Sequence, residues 1–120
     1  MLSVVVPVYR NVVLAEYCLT RLLACVPAGT EVIVVDDASG LETHATLRKF
    51  TGIRLIEHEH NRGNTTAYNT GAQAASGEYL VFIDSDVLLL QDTLSILANA
   101  LEARPKMNWR VYRTLHVDRL

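Results

Sequence analysis

The sequence has no glycine-rich phosphate cradle. After its first apolar run it reads VPVYRNV, without Gly-x-Gly-x-x-Gly, and Gly-x-x-x-x-Gly-Lys-Ser/Thr occurs nowhere, which excludes a dinucleotide fingerprint and a P-loop. A Ser-centred nucleophile elbow is missing too, as is any prominent Cys–His pattern. Charge of one sign is not in excess. Eleven Lys and Arg against thirteen Asp and Glu leave a formal charge of −2, so no basic field points to nucleic acid or an anionic membrane. Lysine is scarce, with only Lys49 and Lys106. No apolar run approaches the ~18 residues of a membrane span. The amino terminus MLSVVVPVYR is broken by Pro7 and Arg10 and has no basic region of the kind that opens a signal peptide. A soluble, cytoplasmic protein is expected. Cysteine is limited to Cys18 and Cys25. Two turns of helix would hold their Cα atoms about 10 Å apart, beyond disulfide reach, and both read as small buried apolar side chains.

What is present is ordinary globular composition: half of the 120 residues are hydrophobic and a fifth charged, enough for one small domain. Leu2–Val8 is a continuous, valine-rich run, the pattern of a strand buried on both faces. Asn11 is placed to cap a following helix whose apolar face carries Leu14, Cys18, Leu22 and Cys25. Glu31–Asp36, EVIVVD, reads as a second buried strand. Ser39 and Glu42 then have the spacing of a capping box opening a short helix to about Phe50. Ile53–Glu57 is a third strand. After a polar loop, HEHNRGN, Asn64 is placed to cap a helix over Thr65–Ala75, with Gly77 as its stop. Tyr79–Asp84 is a fourth strand. Leu94, Leu97, Ala98 and Leu101 form an amphipathic stripe on a last helix ended by Pro105. The tail alternates loosely, with Met107, Trp109, Val111, Leu115 and Val117 in phase, and is read as a fifth strand. Alternating strands and helices with buried-type strands predict an α/β domain, a mostly parallel sheet with helices on both faces.

In such a sheet the loops after the strands open on one edge, where ligands bind. Tyr9 falls there after the first strand, Asp36 and Asp37 after the second, and Asp84 and Asp86 after the fourth. Acids after strands often cap the next helix, which accounts for Asp37 or Asp92. It does not account for Asp84 and Asp86 together, because no helical pattern resumes before about Gln91. Up to four carboxylates sharing one edge would raise one another's pKa values, and a divalent cation would remove the repulsion; hard oxygen donors suit Mg²⁺ or Mn²⁺. His58 and His60, flanking Glu59, have no evident third ligand nearby and are read as part of a solvated loop rather than a metal site.

Three stretches, SVVVPVYRN, VIVVDDAS and NRGNTTAYNTGAQAASGEYLVFIDSDV, resemble in order and spacing the nucleotide-binding half of family-2 glycosyltransferases with the Rossmann-like GT-A fold. The resemblance covers residue 3 to about residue 104. It implies a three-layer α/β/α domain that binds a nucleotide-diphosphate sugar, with a lean to UDP, and a hexosyl transfer to an unknown acceptor hydroxyl. By it, Pro7 and Tyr9 line the base pocket, Asp37 accepts a hydrogen bond from the base, and Asp36 supports that turn. Asn61, Arg62 and Gly63 form the loop beside the nucleotide. Asp84 and Ser85 lie near the ribose, and Asp86, with Asp84, binds the Mn²⁺ or Mg²⁺ that bridges the diphosphate. The chain departs from the pattern at Arg10, where Asn is usual, and at Ala38, which stands for a glycine and is expected to be tolerated at negative φ. After the Asp-x-Asp, where an acid and a proline often follow, it reads VLLLQD, without proline.

The resemblance puts the acceptor site and catalytic base in a second half after Asp86. The closing stretch RPKMNWRVYRTLHVDRL has one carboxylate, Asp118, and no convincing base, so the 120 residues read as a single donor-binding domain, shorter than a full family member. A homodimer would be one way to cover its sheet edges. Two other classes are open. A non-catalytic nucleotide-sugar binder or scaffold is not separated by the sequence from a donor-binding fragment. A receiver-like regulatory module fits less well, since it needs acids after strands one and three and a Lys at the end of strand five.

Overall fold

The structure, a computed structural model, describes residues 1–89 and 91–103. Strand β1 (Leu2–Val8) lies between β2 (Glu31–Asp36) and β4 (Tyr79–Phe82), with β3 (Arg54–Glu57) outside β2; every pair is parallel, in the order β3-β2-β1-β4. Register runs Val4↔Val32 and Val8↔Asp36 on one side of β1, and Leu2↔Tyr79 and Val5↔Phe82 on the other. All seven residues of β1 are buried, as an unbroken valine-rich run requires of a strand covered on both faces.

The alternation of side chains along β1 divides the core in two. Leu2, Val4, Val6 and Val8 face a large cluster built with α1 (Val12–Cys25), α2 (Leu41–Arg48) and α4 (Thr93–Glu102) through Leu19, Leu22, Leu47 and Leu94. Val5 faces the other way, with Ile33 and Val35, onto Ala67 of α3 (Asn64–Ala74). The result is three layers, α/β/α. Helix α3 lies close to the sheet because Gly71 has no side chain: a Cβ there would overlap Val5 Cγ1.

The sheet order argues against a receiver-like module, whose order is 2-1-3-4-5. Here β4, not β3, is the second neighbour of β1. The strand order therefore reverses between β1 and β4, and that places the crevice beside the ends of those two strands.

Two local expectations are corrected. None of Asn11, Ser39 and Asn64 caps a helix with its side chain: α2 and α3 begin after Gly40 and Gly63, and Asn11 is left-handed at φ 52° with no capping bond. Ala38 does not take negative φ but sits at +61°. The tail assigned to a fifth strand lies outside the described residues, as does Pro105. Among the described residues no helix is long and apolar enough to cross a membrane.

Candidate functional site

The β1–β4 ladder stops at Val5–Phe82, so Pro7–Tyr9 and Ile83–Asp86 run on past their pairing and flank the crevice. Pro7 is buried in β1, opposite Val35. Tyr9 is 42% exposed, with the Arg10 guanidinium 5.1 Å from its ring centroid. Arg10 and Asn11, with φ of 58° and 52°, turn the chain from the strand end into α1. With Ala38 they are the non-glycine residues of positive φ among those described, and all three follow the first two strands. Backbone strain is thus gathered on one edge of the sheet.

Asp36 ends β2, Asp37 follows it, and both are buried. Asp36 turns inward on the domain's own structure. Its Oδ1 accepts the Ser39 amide at 3.0 Å, and its Oδ2 is 3.3 Å from His44 Nδ1, whose other ring nitrogen is 3.1 Å from Glu57. Asp37 Oδ1 receives His58 Nδ1 at 2.8 Å and the Arg62 amide at 2.9 Å; Oδ2 receives the Gly63 amide at 2.9 Å. Burial pushes this carboxyl up, yet the bonds from His58, Arg62 and Gly63 outweigh it and hold the group below the usual aspartate range. Gly63, at φ 89°, takes a backbone shape that L side chains rarely adopt, which lets its amide face Asp37.

Asp84, Ser85 and Asp86 follow β4, half-buried. Asp84 Oδ1 accepts the Tyr68 hydroxyl, and its carbonyl accepts the Val87 amide at 3.1 Å and the Cys18 thiol at 3.7 Å. The Tyr68 ring meets Phe82 edge-on, with centroids 5.0 Å apart. Burial, then the bond to Asp84, raises the Tyr68 phenol well above its ordinary value. Burial pushes the Cys18 thiol up to about 12, with a smaller push from the charges of Asp86 and Asp84. That thiol stays protonated and is no nucleophile.

The four acids do not form one cluster: among the described residues no group of three or more His, Cys, Asp or Glu is arranged to hold a metal. β1 stands between the two pairs, and Asp37 is stabilised by donors rather than raised by like charge.

The sequence model of Glycosyl transferase family 2 matches residues 3–114. The chain belongs to that family. Glycosyltransferase GlyG of Streptococcus pneumoniae is 30% identical over 101 residues, covering 81% of this chain and 34% of its own length. The mannosyltransferase PcManGT of Pyrobaculum calidifontis, solved with GDP-Man and Mn²⁺, superposes with TM-score 0.76 and 32% identity over 88% of this chain and 32% of its own. TarS 1–349 of S. aureus, solved with UDP, gives TM-score 0.77 and 28% identity over 86% of this chain and 32% of its own. The chain therefore spans about a third of the length of these relatives, and its α/β/α architecture is that of GT-A glycosyltransferases.

A divalent ion fits the donors at the β4 end. Asp84 and Asp86 supply hard oxygens, and Mg²⁺-type sites commonly use one or two carboxylates with substrate phosphates completing the shell. A site of that kind needs no three-residue protein cluster. The sequence shows no role for Tyr68 and gives His58 only a place in a loop, since each touches its acid across a long separation, 16 residues for Tyr68 and 21 for His58. His58 is no part of a solvated loop: its side chain is 6% exposed, lodged between Asp37 and Thr70. Asn61 and His60 of the same loop are exposed.

Proposed function

We propose that this chain is the donor-binding part of a glycosyltransferase that transfers a sugar from a nucleotide-diphosphate sugar, UDP-linked, to an acceptor hydroxyl with a divalent metal. The observation that carries the reading is the crevice between β1 and β4, with the exposed Tyr9 on one side and the half-buried Asp84 and Asp86 on the other. It is supported by family membership and by neighbours that bind UDP in one case and GDP-Man with Mn²⁺ in another.

In this reading the Tyr9 ring packs against the base, above the buried Pro7. Asp37, with Asp36 bracing its turn, presents its remaining acceptor capacity to a base N–H, since a carboxylate offers about four lone-pair sites and three donors already reach it. Asn61 and Gly63 border the nucleotide, Asp84 and Ser85 lie by the ribose, and Asp86 with Asp84 holds Mn²⁺ or Mg²⁺. Such an ion, when bound, offsets the charge developing on the leaving diphosphate. No described residue is assigned as the general base for the acceptor.

Calorimetric titration with UDP and with GDP, each with and without Mn²⁺, tests the reading. UDP is expected to bind only with the metal and more tightly than GDP, and Asp86→Ala is expected to weaken that binding about tenfold or more, or about 1.4 kcal/mol. A folded chain that binds neither nucleotide, or an Asp86→Ala variant that binds as the parent does, would sink it.

A further inference from the structure

We infer that His58 is a positioning residue for nucleotide binding: through the Asp37 carboxylate it fixes the shape of the Asn61–Gly63 loop. The inference rests on the reading of Asp37 and this loop as the base-side wall of the donor site. His58 joins three parts of the fold: the end of β3, the end of β2 and helix α3. Its own amide donates to the Asp36 carbonyl at 2.9 Å, which ties the residue after β3 to the end of β2. Nδ1 is 2.8 Å from Asp37 Oδ1, and a carboxylate has only acceptors, so Nδ1 carries a proton that points at Asp37. Nε2 is 2.8 Å from Thr70 Oγ1 on α3, and that hydroxyl reaches back to the Thr66 carbonyl at 2.9 Å.

Asp37 in turn grips the Arg62 and Gly63 amides, one with each oxygen. A carboxylate can rotate about its Cβ–Cγ bond. With Nδ1 bonded to one oxygen, the plane is fixed and both oxygens stay aimed at the loop amides. Asn61 and Arg62 are exposed, so their own side chains contribute little to holding the loop in place. The order of this wall therefore comes from beneath, from a ring that is 6% exposed.

Two substitutions separate the function of each ring nitrogen. In His58→Asn the side-chain amide nitrogen stands where Nδ1 stood and keeps a donor on Asp37. In His58→Gln the amide reaches instead to the place of Nε2, towards Thr70, and leaves Asp37 without its side-chain donor. UDP affinity with Mn²⁺ and hydrogen exchange at the Arg62 and Gly63 amides are measured for the chain and both variants, with thermal melting as a check on folding. The expected result is that His58→Gln loses about tenfold in affinity, the size seen for a lost outer-shell partner, and exchanges both amides faster. His58→Asn recovers most of both.

Equal loss in the two variants, or no loss in either, overturns the inference, since the first outcome marks mere packing and the second marks irrelevance. A parent chain that binds no nucleotide overturns the proposed function instead. Amide exchange, which needs no ligand, then decides whether His58 orders the loop: slower exchange in the parent and in His58→Asn than in His58→Gln upholds that ordering, and equal exchange overturns it.

Discussion

The two edges of the sheet are built on opposite principles. At the edge where the strands begin, polar groups pair with one another and with the backbone. Glu31 Oε2 accepts the Ser3 hydroxyl at 2.7 Å and the Ser76 amide at 2.9 Å, the Gly77 amide donates to Ser3 Oγ at 2.9 Å, and Arg54 donates to the last carbonyl of α3, that of Ala74, at 3.0 Å. Those contacts tie the end of α3 to the starts of β1 and β2, and among the described residues there only glycines have positive φ. At the edge where the strands end, three non-glycine residues are left-handed, two acids are buried and an aromatic ring is exposed. One edge is relaxed and closed. The other stores strain and leaves acceptors facing a crevice, which is the cost structure of a surface shaped for something other than its own stability.

The largest break in that contrast comes from Asp37→Ala. It strips one acceptor from three donors at once, including the buried His58, and is expected to destabilise the chain by about 3–5 kcal/mol, the range for breaking a buried pair, read by urea unfolding. If it costs no more than a surface substitution, the donor network is not what orders this edge.

At the closed edge, Glu31→Ala is expected to cost about 1–3 kcal/mol, the worth of hydrogen bonds to a charged group. The bond from Ser3, then that from the Ser76 amide, holds the Glu31 carboxyl below its usual value of 4.5. A depressed carboxyl contributes stability that is fully present above its unfolded-state value and is lost as pH falls through the folded one. The gap between parent and variant is therefore expected to be constant near neutrality and to close below about pH 4.5. Unfolding midpoints across that range check it; a gap that widens in acid would contradict the assignment.

The smallest effect sharpens the contrast from the strained side. Ala38 at φ 61° bears a left-handed cost of about 1–2 kcal/mol, against about 0.5–1 kcal/mol that glycine loses in chain entropy. Ala38→Gly is thus expected to raise stability by about 0.5–1 kcal/mol, and a lower melting temperature would refute the strain.

Strand existence was legible because it depends on local pattern. The valine runs of β1 and β2 were read with their observed bounds, and β3 and β4 within two residues, since a strand buried on both faces has an unmistakable composition. Helix caps were misread for the opposite reason. Asn11, Ser39 and Asn64 are good capping types, but Ser39 gives its hydroxyl to the Val8 carbonyl, and amides near the starts of α2 and α3 are taken by Asp36 and Asp37. Local rules cannot see an acid twenty-six residues away, as Asp37 is from Gly63. The same distance hid His58 and Tyr68, while the acids they touch were visible as acids standing where strands should end. The negative φ expected at Ala38 failed because family-wide glycine at a turn is itself the clue to left-handed backbone.

The strand order also sets a timetable for the nascent chain. β1 is made before its second neighbour, β4, with β2 and β3 between them, so β1 stays half-unpaired until β4 exists. Contacts of such long range slow folding, because loop closure comes before the pairing that rewards it. Asp84 and Asp86 stand just beyond β4. The two sides of the crevice therefore meet only when β4 pairs with β1, and a chain that does not yet carry β4 holds an aromatic wall with no acids opposite.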